Sequence, residues 1–157
     1  MLLVHPLTDR AAIQSIVTDP WVASRLRHDA REPGYIEHDA LTYHGAYWEG
    51  GLYGLFMEIR LSPWETEVHA ALLKDAIGLS HAFGYEFLTQ LWQTPALRRI
   101  TAPVVDTLPS ARNYCLNLGF EMEGYRRDAV MIDGKPHGIY QLGLTREDWQ
   151  RTLSLAA

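Results

Sequence analysis

Cysteine is nearly absent: Cys115 stands alone in 157 residues, so no internal disulfide can form and the fold must rest on an ordinary apolar core. No apolar run approaches the length of a membrane span, and the first residues, MLLVHPLTDR, lack both a cationic start and a long apolar stretch. The expectation is a soluble protein of a reducing cytoplasm with no membrane partner. Basic residues are outnumbered, 14 Lys and Arg against 19 Asp and Glu, giving a net charge of -5 with the cations scattered. That distribution argues against direct contact with nucleic-acid phosphates. There is no Gly-x-Ser-x-Gly, no Walker loop and no dinucleotide fingerprint, which removes the usual hydrolase, NTPase and oxidoreductase readings. The histidines show no metal-ligand spacing, so no metal is expected.

What is present is a sequence of well-punctuated elements. Apolar residues make up 47% of the chain, enough for one folded domain over 1–157. Thr8 and Asp9 can cap a helix carrying Ile13, Ile16 and Val17, and Asp19-Pro20 can end it and start a second. The polar segment Arg31 to Asp39, with Pro33-Gly34, reads as a loop. Aromatic and aliphatic stretches 41–49 and 52–61 around Gly50-Gly51 predict a hairpin. EVHAALL, from Glu67 to Leu73, predicts a third strand, and from Leu79 the period becomes helical. A strand over 99–105, a short helix ending at Gly119, a hairpin about Asp133-Gly134 and a terminal helix begun by Thr145 complete the order. Strand, helix and strand of one sheet require a parallel crossover, whereas hairpins are antiparallel, so the sheet is mixed.

Three segments carry a family likeness. EVHAALL, the turn at Gly78 and the helix LSHAFGYEFLTQLW resemble the central strand, pyrophosphate loop and helix of the GNAT superfamily of acyl-CoA-dependent N-acyltransferases. PSARNYCLNLGFEMEGYRRDAVMIDGKPHG resembles that family's C-terminal half. TREDW is similar to the tail of members that acetylate ribosomal-protein N-termini, and small divergent relatives of this type look like proteins borne on phage genomes. The resemblance covers about residues 40–150. It implies an α/β (α+β) fold with a mixed, mostly antiparallel central sheet flanked by helices, containing a splayed parallel strand pair. It also implies acetyl-CoA as cosubstrate and transfer of an acetyl group to a primary amine by direct attack in a ternary complex.

Carried onto this chain, the resemblance lays the cofactor's pyrophosphate over the segment Ala76, Ile77, Gly78, Leu79, Ser80 and His81, at a helix start where free backbone N–H groups attract anions. Only Gly78 of the family's loop is retained, and Asp75 beside a polyanion is unhelpful. Leu72 and Leu73 would offer backbone to the pantetheine amides. Alternation puts Glu67, His69 and Ala71 on one face, so His69 or Glu67 could take the proton an amine loses as it attacks. The competing reading is a pair of solvated polar groups. Glu58 and Arg60 are weaker candidates for substrate contact.

Many members place a tyrosine four residues before the glycine, to protonate the departing thiolate; here that position is Cys115, with Tyr114 beside it. Cys115 therefore has three readings: a thiol acid, a small packing residue facing Ala111 and Leu118, or a nucleophile. These departures keep open a second function, a catalytically degenerate GNAT-shaped protein serving as a CoA-binding or structural module. The acceptor is a small-molecule amine or a protein N-terminus. The acidic balance suits a basic one such as a polyamine, and the loop with Tyr35, Glu37 and His38 would border it. Exposed aromatics at Tyr43, Tyr47 and Trp48 could pair strands between subunits in a homodimer.

Overall fold

A computed structural model describes residues 1–156. The elements run β1 (Leu2–Pro6), α1 (Arg10–Val17), α2 (Pro20–Leu26), β2 (Leu41–Trp48), β3 (Gly51–Ser62), β4 (Glu65–Leu72), a 3₁₀ turn (Lys74–Leu79), α3 (Ser80–Leu91), β5 (Arg99–Val105), α4 (Pro109–Asn117), β6 (Glu121–Ile132), β7 (Lys135–Thr145) and α5 (Arg146–Ala156). The seven strands form one sheet in the order β1-β2-β3-β4-β5-β7-β6. All neighbours are antiparallel except β4 and β5.

Local chemistry accounts for the element boundaries. The Asp9 carboxylate accepts from the N–H groups of Ala11 and Ala12, and Asp19 from those of Trp21 and Val22. Each satisfies donors that a helix start would otherwise leave bare. Asp148 N–H donates to Thr145 Oγ1 at 3.1 Å, which begins α5. Gly119 takes φ 104° just past α4, a conformation a side chain resists.

Each face of the sheet has its own core. On one side α1 and α2 bury Ile13, Ile16, Val17 and Val22 against Tyr43, Leu55 and Ala71. On the other, Phe83, Phe87, Leu88 and Leu91 of α3 and Trp149 of α5 pack on Phe56, Ile100, Leu142 and Leu144.

β1 was not legible as a strand. It runs antiparallel to β2 from Leu2↔Trp48 to Pro6↔His44, and Gln90 of α3 donates to the Val4 carbonyl. This strand corrects the expectation for the β2 aromatics. Tyr43 is buried in the α1/α2 core, Tyr47 stacks on His5 at 4.4 Å and Trp48 packs against the other core. None is free on an open edge, because β1 covers it.

Candidate active site

β4 and β5 pair only at Glu65↔Arg99, Thr66↔Ile100 and Glu67↔Thr101, and then part. Both faces are fastened at that last rung. On the α3 side Glu58 is the hub: His44 Nε2 lies 3.1 Å from one oxygen, while Arg60 Nη2 and the Thr66 hydroxyl donate to the other at 3.1 Å each. On the α1/α2 side Thr101 donates to Glu65 at 2.7 Å, and Arg99 bridges Glu65 and Glu123. Glu58 is 8% exposed. Burial alone would raise its pKa, but the bonds from His44 and Thr66 and the Arg60 charge hold it below the usual carboxylate range. Glu58 and Arg60 thus fasten the sheet, and neither lines the cavity described next.

Beyond that rung, Val68 to Leu72 and Ala102 to Val105 diverge and leave a cavity of about 430 Å³ lined from both faces of the sheet. From the α1/α2 side come Arg25, Leu26, His28, Met57 and His69; from the other come Phe87, Ala111, Tyr114, Cys115 and Leu118. Two glycines shape it. Gly54 of β3 has φ 151°, and a Cβ there would lie 2.6 Å from the Leu72 Cα, so β3 can stay close to β4 at the far end of the gap, five residues past the last β4–β5 rung. At Gly84 a Cβ would lie 2.3 Å from the Tyr114 hydroxyl, so the missing side chain admits Tyr114 against α3.

The structure separates the residues expected at the chemistry. His69 lines the cavity, with Nε2 2.8 Å from Glu67 Oε2. A carboxylate can only accept, so Nε2 carries a proton, and in the neutral ring Nδ1 is then the acceptor. The His69 bond outweighs the opposing effect of burial and lowers the Glu67 pKa. Glu67 itself is behind the ring and does not line the cavity.

Across the gap, Tyr114 donates to the Ser80 carbonyl at 2.7 Å, fixing α4 to the start of α3. Burial raises the pKa of both neighbours, that of Cys115 to about 12. Cys115 shares its wall with Ala111 and Leu118, as the packing reading holds. Burial that holds the thiol toward its protonated form weighs against the nucleophile reading.

Of the loop before β2, Arg31, Glu32, Pro33, Gly34 and Ile36 line the cavity. Tyr35, Glu37 and His38 instead brace the loop: Tyr35 stacks on Tyr43, Glu37 pairs with Arg10 at 2.6 Å and His38 Nδ1 accepts from Ala40 N–H. Asp29 accepts from Asp133 N–H and Gly134 N–H, both at 2.8 Å, which straps the loop to the β6–β7 turn. No sequence signal pointed to Asp29, because its partners are backbone atoms more than a hundred residues away.

The start of α3 has no side-chain cap; Ser80 N–H is taken by Ile77 C=O, and exposed His81 and Ala82 follow. Gly78 is exposed, and a Cβ there would meet nothing within 4 Å. Leu72 and Leu73 spend one backbone edge on β3 through Leu72↔Gly54 and Leu73 N–H to Tyr53 C=O, leaving the edge toward β5 unpaired.

A comparison of the whole chain with solved structures decides what this arrangement is. The spermidine N-acetyltransferase of Vibrio cholerae, in complex with CoA and spermine, superposes with a TM-score of 0.80 at 16% identity over 95% of this chain and 98% of that one. The chain has the GNAT fold. A proposed phosphinothricin N-acetyltransferase superposes with a TM-score of 0.76 at 16% identity over 92% of this chain and 98% of that one. No family model matches the sequence, and no curated protein matches it. Within the GNAT fold the parting of β4 from β5 is the splayed parallel pair expected from the resemblance. The flanking helices and mostly antiparallel sheet agree as well.

Proposed function

We propose that the protein is an acetyl-CoA-dependent N-acetyltransferase acting on a primary amine. The observation that carries this is the cavity through the strand gap, which brings His69, backed by Glu67, to one side and the protonated Cys115 thiol to the other. The residues fit acetyl-CoA: an uncapped helix start and exposed Gly78 suit its pyrophosphate, and the free edge of β4 from Val68 to Leu72, with Leu73 after it, suits its amides. When bound, acetyl-CoA supplies the activated acyl group. The absence of a basic side chain between Ala76 and Ser80 leaves backbone N–H groups to carry the anion.

His69 Nδ1 takes the proton that the amine nitrogen releases as its lone pair forms the new N–C bond and the C–S bond breaks. Glu67 is a positioning residue that fixes the ring and its tautomer and stabilises the imidazolium. Cys115 offers the S–H closest in kind to the departing sulfur. Tyr114 holds α4 to α3. The acceptor enters between α2 and the strapped loop, and a small-molecule amine suits a cavity of about 430 Å³. Calorimetric titration with acetyl-CoA tests the reading. Binding that is lost in Gly78→Glu supports it, and no binding at millimolar ligand would sink it.

A further inference from the structure

The charged and titratable groups lining the acceptor side are Arg25, His28, Arg31, Glu32 and His69. The acids in and beside this mouth have partners, Glu32 the loosest in an exposed pair. Glu32 lies 3.7 Å from Arg27, Glu37 pairs with Arg10, Glu67 holds His69, and the Asp29 oxygens accept from the Asp133 and Gly134 N–H groups. Asp39 is exposed and outside the lining. The arginines are not committed. Among the described residues, neither Arg25 nor Arg31 takes part in any ion pair within 4.0 Å; Arg98, Arg112, Arg126, Arg127 and Arg146 are likewise free of such pairs, but only Arg25 and Arg31 of these line the cavity. Arg25 is nonetheless held in place, half-buried with its guanidinium 4.2 Å from the centre of the Trp21 ring. Arg31 sits on the turn closed by its own N–H to the His28 carbonyl. Leu26, Ile36, Leu41, Met57 and Ile59 supply the apolar surface around them.

From this we infer that the acceptor amine carries an anionic group, of the carboxylate type, and an apolar body, rather than being a polycation. Arg25 and Arg31 hold the anion, their planar forks matching a carboxylate, and the apolar wall takes the body while His69 faces the amine. A polyamine would meet two unneutralised guanidinium groups there and be repelled. This rests on the acetyltransferase reading and reverses what the chain's overall acidity suggests: the net charge of -5 is spread over the surface, while the mouth is locally basic.

The test is release of free thiol from acetyl-CoA by the purified protein, with three acceptors: leucine, its decarboxylated counterpart 3-methylbutylamine, and spermidine. Leucine should exceed 3-methylbutylamine in kcat/KM by roughly 10²-fold, since a site built to bind a polar group rejects the analogue lacking it, and spermidine should be the poorest. Arg25→Gln and Arg31→Gln should each raise KM for leucine and so narrow the ratio of leucine to 3-methylbutylamine kcat/KM. The same variants should bind acetyl-CoA as the parent does, which shows that they fold. Preference for spermidine or 3-methylbutylamine, or a leucine preference untouched by either variant, would overturn the inference and leave the acetyltransferase reading standing. Acetyl-CoA binding with no transfer to any of the three, and no leucine-induced rise in Tm in the presence of CoA, would overturn it too. Failure to bind acetyl-CoA would remove the reading on which it rests.

Discussion

Replacing Glu58 by alanine should be among the most costly single changes in the protein. Its carboxylate is buried and accepts from His44, Arg60 and Thr66. Without it Thr66 keeps its bond to the Ile59 carbonyl at 3.1 Å and the partly exposed Arg60 turns to water, but His44 loses its only ring partner. An orphaned buried ring added to a lost ion pair costs about 3–5 kcal/mol. For a chain of this size that lowers Tm by about 10 °C. Arg60→Ala should cost less than Glu58→Ala, because the buried carboxylate keeps its bonds with His44 and Thr66. The sign with pH is fixed by the lowered pKa of Glu58. Its stabilisation is complete above the ordinary carboxylate range and fades as pH falls through the lowered folded value. Urea unfolding of parent and Glu58→Ala at pH 7 and at pH 3 should therefore show a gap that narrows in acid. A loss under about 1 kcal/mol at pH 7, or a gap that widens in acid, would refute the reasoning.

Other outcomes follow from the geometry. Gly54→Ala forces a Cβ to within 2.6 Å of the Leu72 Cα at φ 151° and should cost about 2–4 kcal/mol in denaturant unfolding. His69→Ala should lower kcat by about 10²- to 10⁴-fold; Glu67→Gln should lower it less, with KM for acetyl-CoA unchanged, and a larger loss in the glutamine variant would place the base at Glu67. With its pKa pushed up to about 12, Cys115 should be alkylated by iodoacetamide at pH 8 roughly 10³-fold more slowly than a free cysteine, as followed by intact mass. Asp29→Ala should raise KM for the acceptor and expose the 27–40 loop to protease, because both bonds to the β6–β7 turn are lost.

Much of this architecture was readable from punctuation. Gly50-Gly51 and Asp133-Gly134 announced both hairpins, and the caps at Asp9 and Asp19 announced the first two helices. β1 escaped because a five-residue strand with one buried side chain, Val4, has too little period to read; what makes it a strand is β2, forty residues away. At the site, alternation correctly placed Glu67 and His69 on one face, but it could not order them, since which one lines the cavity depends on where β5 departs. Spacing marked Cys115 but gave no pKa, which is set by the apolar wall packed around it. Whole-chain charge could not specify the acceptor, because summed charge carries no information on which acids are already paired.

A sheet normally confines its unsatisfied backbone to the periphery, where charge, proline or a covering element guards it. Here the parting of β4 from β5 folds two such margins into the middle of the molecule, with Pro103 on one of them. A ligand laid along the gap would act as the absent strand, so occupancy and rigidity become one property. At a concentration one hundred times its Kd, a ligand raises stability by about 2.7 kcal/mol. The gain should appear first as slowed amide exchange in Val68 to Leu72 and Ala102 to Val105, the two half-zippers left open beside each other.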